Sequence, residues 1–366
     1  MYPYEKDMLE RLWFPVARSA DVNDSPVPAQ LLGHRIVIYR TSGGLTAARD
    51  RCPHRGVRLS LGQTLGDELE CPYHGWRYDR EGTCTLVPSQ PTAHPAARLE
   101  TFPVRAAFGL VWVSLHEPVL DAPAVEEMAD PSDGWEIGDG EPFDVSCGLR
   151  SITENFRDSS HFAFVHKQTF GNVSPLIPAY QVRRDGWRLA WEFTLRYADD
   201  WQVEGGARTG GKYRFGGTDA DPLDASMATE QLIHYRFCAA SLSYVYTEHP
   251  GGGKRVVCQV AAPLSADGLS CRVFFFVAAD RRFREQYGSV AAQVELESRV
   301  FAEDVPIVEN LDPPEAPLEL DSQAHVRADR YAVAYRRLYR ELLDEFAAGQ
   351  PADLAPAALE QNQIGV

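Results

Sequence analysis

The chain has 366 residues, of which 44% are hydrophobic and 11% aromatic, a composition that excludes an intrinsically disordered protein. Its formal net charge of -16 at pH 7 argues against non-specific nucleic-acid binding, because attraction to polyphosphate needs clustered Lys and Arg. No apolar run reaches the roughly 18 residues that a membrane helix needs. We therefore expect neither a nucleic-acid partner nor a membrane partner.

The cysteines and the N-terminus bear on the cellular compartment. Seven cysteines are scattered along the chain, an odd number that fits a reducing compartment better than a disulfide framework. The N-terminal residues MYPYEKDMLERLWFP mix charges throughout and lack the apolar core of a secretory signal. These features predict a cytoplasmic protein.

The first third of the chain has the pattern of a β domain. Short β-type runs such as HRIVIYR (34–40) and GLVWVSL (109–115) alternate with Gly-rich turns, and no long helical period is present. An all-β domain is predicted over residues 1–120. A stretch rich in Pro, Asp and Glu follows and predicts a linker at 121–134.

The second part of the chain has the pattern of an α+β domain. Its β-type runs include VVCQVAA (256–262) and CRVFFFVAA (271–279), and long helical stretches follow near 285–310 and 325–348. An antiparallel sheet covered by helices is therefore predicted for residues 135–349.

Two further segments fit neither a helix nor a strand. Residues 205–222 contain too many glycines for either element, which predicts a mobile loop that could act as a lid. The C-terminal residues 350–366 are predicted to form a disordered tail.

A group of cysteines and histidines in the β domain predicts a metal centre. The sequence contains Cys52-x-His54, sixteen intervening residues and then Cys71-x2-His74. A structural zinc site uses the same ligand types but usually pairs Cys with Cys and His with His. In a Rieske [2Fe–2S] centre two Cys hold one iron and two His hold the other, so that each loop supplies one of each. The order of the residues favours the Rieske centre.

The ligand set of a Rieske centre has a functional consequence. Neutral imidazoles in place of thiolates raise the reduction potential from about −400 mV to between roughly −150 and +300 mV. A cluster in that range can accept single electrons from a reductase and pass them on. The site is thus expected to be an electron relay.

A second cluster of candidate ligands could receive those electrons. In ENFRDSSHFAFVH (154–166), Asp158 is followed by His161 and His166. Two His and one carboxylate form the facial triad of non-haem Fe(II) oxygenases, which leaves positions open for O2 and substrate. On an ideal helix Asp158 and His161 share a face, whereas His166 lies about 140° from His161. His166 is therefore expected at a helix end or a bend.

The residues alone leave the third iron ligand open. Asp158 could be that ligand, or it could accept the hydrogen bond that orients a ligand histidine. The other candidate is Asp304 in RVFAEDVPIVEN (299–310), where Pro306 is expected to distort the helix. Asn155 could form a hydrogen bond near the iron or cap a helix, and the pattern favours neither.

Together the motifs resemble the oxygenase component of Rieske non-haem iron oxygenases. These motifs are CPHRG (52–56), CPYHGWRY (71–78) and NFRDSSHFAFVH (155–166). In addition, LWFPVARSADV (12–22) is similar to the entry to the Rieske domain. The stretch HVRADRYAVAYRRLYREL (325–342) is similar to the C-terminal helix of the phthalate-dioxygenase-like and vanillate-demethylase-like branch. The resemblance covers most of the chain.

The resemblance implies a role for each candidate residue. The cluster ligands it implies are Cys52, His54, Cys71 and His74, and the iron ligands are His161, His166 and Asp304. It also implies that Asp158 bridges His74 of a neighbouring subunit to His161, so that electrons cross between subunits. The resemblance thus implies a head-to-tail ring, typically a homotrimer.

The resemblance also implies an activity and its partners. O2 would be activated at a mononuclear Fe(II), with electrons from NAD(P)H delivered by a separate ferredoxin or flavin reductase, since the chain shows no Gly-rich dinucleotide fingerprint. We expect hydroxylation or O- or N-demethylation of an aromatic or multi-ring small molecule. The enzymatic alternatives are cis-dihydroxylation of an aromatic ring and desaturation or oxidative cyclisation on the same iron. The alternatives outside catalysis are a Rieske electron carrier and a zinc-stabilised binding module.

Overall fold

A computed structural model of the protein describes residues 1–170, 173–196, 230–239, 241–249 and 251–349. The predicted mobile loop at 205–222 and the predicted tail at 350–366 lie outside the described residues. The chain forms two compact units. The first comprises Met1–Pro123 and Ala262–Gly268, and the second comprises Ala124–Ala261 and Leu269–Val366.

The first unit consists of short antiparallel strands preceded by one helical turn and a half, α1 (Glu5–Leu9). Its strands are β1 (Phe14–Arg18), β2 (Val27–Leu31), β3 (His34–Thr41), β4 (Gly44–Arg49), β5 (Gln63–Leu65), β6 (Glu68–Glu70), β7 (Arg77–Tyr78), β8 (Cys84–Leu86), β9 (Thr101–Phe102), β10 (Val104–Ala107) and β11 (Leu110–Val113). They form sheets in the orders β1-β11-β10, β2-β3-β4-β9 and β5-β6-β7-β8. The predicted β architecture of this part of the chain is confirmed.

The core of the first unit supports the two loops that carry the cysteine and histidine motifs. Val37 and Tyr39 of β3 and Leu69 of β6 are fully buried, and Cys52 and Cys71 belong to the same apolar cluster. Because β4 ends just before Cys52 and β6 ends just before Cys71, both loops start from fixed strands.

A segment distant in sequence completes the first unit. The backbone N–H of Leu32 donates to the carbonyl of Pro263 at 2.7 Å, and the N–H of Gly33 donates to the carbonyl of Leu264 at 2.7 Å. The sequence pattern did not predict this contact, because hydrogen bonds between backbone groups so far apart leave no periodic signal.

The second unit is built on one large antiparallel sheet. Its strands are β12 (Glu136–Asp139), β13 (Phe143–Val145), β14 (Arg183–Asp185), β15 (Arg188–Arg196), β16 (Glu230–Cys238), β17 (Leu242–Glu248), β18 (Lys254–Pro263) and β19 (Cys271–Ala279). Their order is β12-β19-β18-β17-β16-β15-β14, and β13 also pairs with β19. Consecutive strands pair in sequence from β14 to β19, which explains why the whole sheet is antiparallel.

Helices cover this sheet, as the α+β prediction required. They are α2 (Leu149–Asn155), α3 (Phe162–Val165), α4 (Lys167–Phe170), α5 (Arg281–Tyr287), α6 (Val290–Val308) and α7 (Arg330–Ala347). Short 3-10 turns lie at Ser19–Asp21, Leu59–Leu61, Glu126–Met128, Pro131–Asp133, Leu320–Ser322 and Arg327–Asp329. The helices predicted near 285–310 and 325–348 correspond to α6 and α7.

The long helix α6 carries one face against the sheet. Ser289 caps its start by accepting a hydrogen bond from the N–H of Ala292 at 3.3 Å. Its buried residues recur every three or four positions, at Gln293, Leu296, Glu297, Val300, Phe301, Asp304 and Val308. Asp304 therefore lies on the buried face of the helix.

Pro306 does not interrupt α6. The distortion expected beside Asp304 does not end the helix, since the α-helix continues through Pro306 to Val308. Pro306 lies in the last turn, where the loss of one N–H removes a single helical hydrogen bond and leaves the preceding turns intact.

Two candidate metal centres

The two cysteine loops of the first unit repeat the same backbone hydrogen bond. The N–H of Cys52 donates to the carbonyl of Val57 at 2.8 Å, and the N–H of Cys71 donates to the carbonyl of Trp76 at 2.8 Å. Each loop is closed across the same number of residues. The two motifs thus form a pair of equivalent turns, although their histidines stand at different distances from the cysteine.

A glycine makes each turn possible. Gly56 has a φ of 77° and Gly75 a φ of 68°, a left-handed conformation that residues with a side chain rarely adopt. From these positions the N–H of Gly56 donates to the carbonyl of Cys52 at 2.8 Å, and that of Gly75 to the carbonyl of Cys71 at 3.1 Å. Both glycines are therefore required by the backbone of the loops.

The loops bring the four predicted cluster ligands together. The rings of His54 and His74 lie 4.5 Å apart between centroids, and Trp76 stacks on His54 at 4.4 Å. Cys52 and Cys71 are buried, whereas His74 is exposed. The Sγ of Cys52 lies 3.3 Å from the hydroxyl of Tyr78. A group held here would have its cysteine side inside the unit and its histidine side at the surface.

The chemistry of these side chains fits an iron–sulfur cluster. Nδ1 of His54 is buried and has no hydrogen-bond partner among the described residues, as a nitrogen reserved for a metal would be. Burial raises the pKa of the Cys71 thiol, and the neighbouring Cys52 raises it further. Two buried thiols become thiolates together only if a positive group compensates them, and metal ions supply that charge.

The second unit brings the other three predicted ligands together. Nε2 of His161 lies 3.1 Å from Nε2 of His166. Oδ1 of Asp304 lies 3.4 Å from the first nitrogen and 3.3 Å from the second. The three atoms form a nearly regular triangle, and Asp304 and His166 are buried.

This triangle has the dimensions of a facial metal site. Bonds of about 2.1 Å to each atom place ligand atoms roughly 3.0–3.4 Å apart for angles between the octahedral and tetrahedral values. One face of such a metal is covered by the protein and the other is open. The donor set of two imidazoles and one carboxylate fits mononuclear Fe(II).

The local fold explains how His161 and His166 meet. His161 is the residue before α3 and His166 the residue after it, with φ of −94° and ψ of 23°. The short helix ends at Val165, and after His166 the chain continues into α4. His166 thus stands at a helix end, where the spacing argument placed it, and both rings converge although an unbroken helix would separate them.

Asp158 holds the ring of His161 from outside the triangle. Its Oδ2 lies 3.2 Å from Nδ1 of His161, and its Oδ1 accepts the N–H and the hydroxyl of Ser160. Burial alone would raise the pKa of Asp158, but these hydrogen bonds outweigh it and hold the pKa below its usual value. The side chain is 40% exposed. Asp158 is thus a charged orienting group with one side open to solvent.

Glu303 orients the ring of His166 in the way that Asp158 orients the ring of His161. Its Oε2 lies 2.9 Å from Nδ1 of His166, and the hydroxyl of Thr169 donates to its Oε1 at 2.6 Å. Sequence reasoning missed Glu303. Its only signal is its position beside Asp304, which cannot be distinguished from an ordinary acidic helix surface.

These contacts set the protonation of His166. Burial lowers the pKa of His166, but its hydrogen bonds with Asp304 and Glu303 outweigh the burial and raise the pKa above its usual value. The two carboxylates thus place negative charge on both sides of the His166 ring. A bound cation at Nε2 would take the place of the proton.

Asn155 lies within reach of the same carboxylate. It is the last residue of α2, and its Nδ2 donates to Oδ1 of Asp304 at 3.4 Å. Of the two alternatives for Asn155, the structure therefore shows a side chain directed at the triad. The hydrogen bond is long, and Oδ1 of Asn155 has no partner among the described residues.

The triad opens into a pocket of the second unit. Its wall is mostly aromatic and aliphatic, with Phe162, Phe170, Ile233, Val257, Leu296 and Phe301 among the lining residues. Besides the triad, the polar or charged lining residues are Asn155, Arg157, Gln231, Thr247, Arg255, Gln259 and Glu297. Such a pocket suits a ring system with a small number of polar substituents.

Both parts of the chain match known families. Residues 12–103 match the family described as Rieske [2Fe-2S] domain, and residues 145–345 match the family described as Vanillate O-demethylase oxygenase C-terminal domain. The second match spans more than half of the chain. No described helix is both long and apolar enough to cross a membrane.

Several proteins of known activity are similar over most or part of the chain. The chain is 28% identical over 362 residues to methylxanthine N1-demethylase NdmA of Pseudomonas putida, with 95% of this chain and 93% of that protein covered. It is 31% identical over 198 residues to the 5,5'-dehydrodivanillate O-demethylase oxygenase subunit of Sphingobium sp. (strain NBRC 103272 / SYK-6), with coverages of 48% and 43%. The structure of Pseudomonas putida CBB5 NdmA with caffeine aligns with a TM-score of 0.75, at 25% identity and 94% coverage of both chains.

Proposed function

Because the chain belongs to the Rieske oxygenases that carry a vanillate O-demethylase oxygenase C-terminal domain, we propose that it hydroxylates or N- or O-demethylates an aromatic or multi-ring small molecule. The predicted oxygenase class and the predicted α+β fold class are both confirmed. The enzyme is an oxidoreductase that uses O2, and its electrons come from NAD(P)H through a separate reductase. The alternatives of an electron carrier and of a zinc-stabilised module are thereby excluded.

One observation carries the proposed reaction. The triangle of His161, His166 and Asp304 opens directly into a pocket whose wall is mostly aromatic and aliphatic. A flat, largely apolar substrate would therefore lie against the open face of the metal site. Among the relatives, one is a methylxanthine N1-demethylase and another a 5,5'-dehydrodivanillate O-demethylase oxygenase subunit.

We assign the two cofactors to the two sets of residues. The Rieske [2Fe–2S] cluster would be held by Cys52, His54, Cys71 and His74, and the mononuclear Fe(II) by His161, His166 and Asp304. When bound, the cluster relays single electrons and the iron activates O2 beside the substrate. The residues of the chain hold the ligand rings, shape the pocket and exclude water from it.

Asp158 is proposed to connect two copies of the chain. It orients His161 with one oxygen, and 40% of its side chain remains accessible to a group from outside the unit. His74 is also exposed on the first unit, and the ring of Tyr73 beside it is 63% exposed. We infer that His74 of a neighbouring copy contacts Asp158 in a head-to-tail homotrimer.

We place the protein in the cytoplasm. A reductase that uses NAD(P)H works there, and none of the seven cysteines forms a disulfide in the structure. Five of these cysteines lie outside the proposed cluster site, and thiols that form no disulfide persist best in a reducing compartment.

The first test concerns the metal centres. Anaerobically purified protein should be red-brown and give a reduced Rieske EPR signal after dithionite, with about three irons for every two sulfides. Colourless protein with zinc would overturn the cluster assignment. Two irons that stay at two after incubation with Fe(II) would overturn the mononuclear site.

The second test concerns the reaction. In a demethylation one atom of O2 is inserted into a methyl C–H bond and the other leaves as water, with two electrons supplied by NAD(P)H. The hydroxymethyl group then leaves as formaldehyde. Turnover of N-methyl and O-methyl aromatic probes under 18O2 should give formaldehyde or a product with one labelled oxygen. Two labelled oxygens in a cis-diol, or a desaturated product without label, would overturn the proposal.

A further inference from the structure

Five rings in the first unit form a continuous array through the two proposed histidine ligands of the cluster. His94 stacks on Trp76 with ring centroids 6.0 Å apart, and Trp76 stacks on His54 at 4.4 Å with the planes inclined by only 8°. His54 meets His74 edge to face at 4.5 Å, and Tyr73 lies against His74 at 3.8 Å. These separations are those of rings in contact. The two ligand rings therefore lie in the middle of this ring array.

Both ends of the ring array reach the surface of the first unit. His94 and Tyr73 are exposed, whereas Trp76 between them and the ligands is half-buried and packs on the apolar core. Tyr73 lies beside His74, the ligand proposed above to contact a neighbouring copy. The other end leads from His94 to the other ligand, His54. A donor that docks at His94 would therefore leave the contact at His74 undisturbed.

The loop that carries His94 is fixed on the first unit. Val87 before the loop and Ala97 after it are buried in the apolar cluster that also contains Cys52 and Cys71. The N–H of Ala97 donates to the carbonyl of His94 at 3.1 Å. Because both ends of the loop are buried and its backbone is bonded to itself, the ring of His94 is held at a defined place beside Trp76.

The surface around His94 differs in charge from the rest of the chain. Residues 82–97, here called the uncharged patch, contain no Asp, Glu, Lys or Arg although 24% of the chain is charged, and most of their side chains are exposed. The core of a protein–protein interface is typically depleted of charged residues.

The first cysteine loop, which meets the uncharged patch through the stack of His54 on Trp76, is basic. It has three exposed arginines, Arg51, Arg55 and Arg58, and no Asp or Glu occurs from residue 51 to residue 66. The chain as a whole has a net charge of -16. A basic border beside an uncharged patch on such a chain is complementary to a partner with an acidic surface.

We propose that His94 and Trp76 are the entry port for electrons and that an acidic [2Fe–2S] ferredoxin-type domain of the separate reductase docks on the uncharged patch. This inference rests on the proposed function, because it names the surface that the partner of this enzyme uses. Electron transfer slows steeply with distance, and the rings of His94 and Trp76 fill the space between a docked donor and His54. The donor is oxidised by one electron at each encounter while the cluster is reduced by one. Two encounters thus deliver the two electrons of one NAD(P)H.

Reduction of the cluster tests the port without O2 or substrate. Oxidised holoenzyme is mixed anaerobically with a reduced plant-type [2Fe–2S] ferredoxin, an acidic protein of lower potential, or with dithionite. The reduced Rieske EPR signal is followed in rapidly frozen samples. We expect His94→Ala to lower the second-order rate constant with ferredoxin about 10-fold and to leave reduction by dithionite unchanged. His116→Ala removes an exposed histidine elsewhere in the first unit and is the matched control, with both rates unchanged.

Two variants of Trp76 separate the ring from the rest of the side chain. Trp76→Phe keeps a ring and should retain most of the ferredoxin rate, whereas Trp76→Leu should lose as much of it as His94→Ala. The midpoint potential and the iron and sulfide counts are measured for each variant, so that a slower rate is not mistaken for an altered cluster. If Trp76→Leu does not hold its cluster, His94→Ala still decides.

The basic border is tested through the effect of salt. Arg55→Gln combined with Arg58→Gln should lower the ferredoxin rate constant and weaken its dependence on ionic strength, because exposed charges steer an acidic donor and are screened by salt. Arg105→Gln, an exposed position on β10, should change neither. The same loss of rate in Arg105→Gln would show that the arginines act only through the total charge.

The opposite end of the ring array provides the converse variant. Tyr73→Ala should leave the ferredoxin rate unchanged and impair product formation by enzyme that was reduced beforehand. His94→Ala should slow reduction by ferredoxin and leave product formation by the reduced enzyme unchanged. Equal slowing of ferredoxin by the two variants would overturn the assignment of entry to the His94 end.

The outcomes separate this inference from the proposed function. An unchanged ferredoxin rate in His94→Ala, or no reduction of the unaltered protein by ferredoxin, would overturn the port and leave the reaction standing. Carbethoxylation of His94 should proceed in the enzyme alone and be blocked by ferredoxin. Blocked carbethoxylation in the enzyme alone would assign the uncharged patch to a contact between copies and overturn the port. Normal reduction by ferredoxin without any product would support the port and count against the reaction.

Discussion

Glu303 holds His166 from behind, with its Oε2 2.9 Å from Nδ1 of the ring, so that Nε2 of the same ring faces Oδ1 of Asp304 at 3.3 Å. Glu303 and Asp304, which are adjacent in α6, therefore each lie next to a different ring nitrogen of His166. A carboxylate on Nδ1 fixes which nitrogen is available to the metal and how the ring is turned.

Glu303→Ala should weaken iron binding without removing it. The ring of His166 loses its orienting partner, and the loss of such a partner costs about 10- to 100-fold in metal affinity. The measurement is the competition of a chelator for the mononuclear iron. Glu295→Ala, an exposed position on the same helix, is the matched control. Equal iron affinities in the two variants would show that Glu303 does not orient the ligand.

Asp304→Ala should abolish mononuclear iron binding and turnover while leaving the cluster intact. The triangle then has two neutral nitrogens and no negative charge, which makes a poor site for Fe(II). The iron count should fall from about three to about two per two sulfides, with an unchanged visible spectrum. If the third iron and the activity survive, another residue is the third ligand.

Asp158→Asn should retain both metals but form little product. The amide can keep a hydrogen bond to Ser160 and still lacks the negative charge that orients His161 and that would receive His74 of a neighbouring copy. Product formation under single turnover is the readout, with the cluster reduced beforehand. Ser160→Ala, which removes one donor to Asp158, should have the smaller effect. Normal product formation by Asp158→Asn would remove it from the electron path.

Arg336→Met should destabilise the second unit by about 3–5 kcal/mol, because the carboxylate of Glu154, whose side chain is only 15% exposed, loses its ion-pair partner. Burial already raises the pKa of Glu154 despite the hydrogen bonds from Arg336. Arg340→Met, which breaks an exposed pair with Glu319, should cost about 1 kcal/mol or less. The measurement is the thermal unfolding temperature of the unaltered protein and of each of the two variants.

A double variant tests how much the ion pair between Glu154 and Arg336 contributes to stability. Replacing Glu154 by Leu together with Arg336→Met removes both charges from the contact between α2 and α7. The double variant should therefore unfold at a higher temperature than Arg336→Met alone. A double variant that is less stable would mean that the pair contributes more than the mutual compensation of its charges.

Site residues that lie close together in the chain could be found from the sequence. Residues that meet only in the folded protein could not be assigned from it. The pairs Cys52 with His54 and His161 with His166 could be found because each pair lies on one short turn or helix. Asp304 meets the histidines only through the packing of α6, and the residues alone did not separate it from Asp158. The resemblance named it, and the triangle of ligand atoms supports it.

The fold shows the same division between local and distant information. The helices α6 and α7 could be predicted from their periodic apolar faces. The membership of Ala262–Gly268 in the first unit could not, since it depends on backbone hydrogen bonds to Leu32 and Gly33.

The two proposed ligand sets lie at different positions along the chain, and they are therefore completed at different times during synthesis. The proposed cluster ligands all lie between Cys52 and His74, whereas the iron triad is complete only when Asp304 has been added. At about 5–20 residues per second, the ribosome reaches Asp304 roughly 10–50 s after His74. The cluster ligands therefore leave the ribosome as a complete set while the sheet of the second unit is still being synthesised. With the proposed ligands, iron would in contrast find all three only in a chain in which α6 has packed against the second unit.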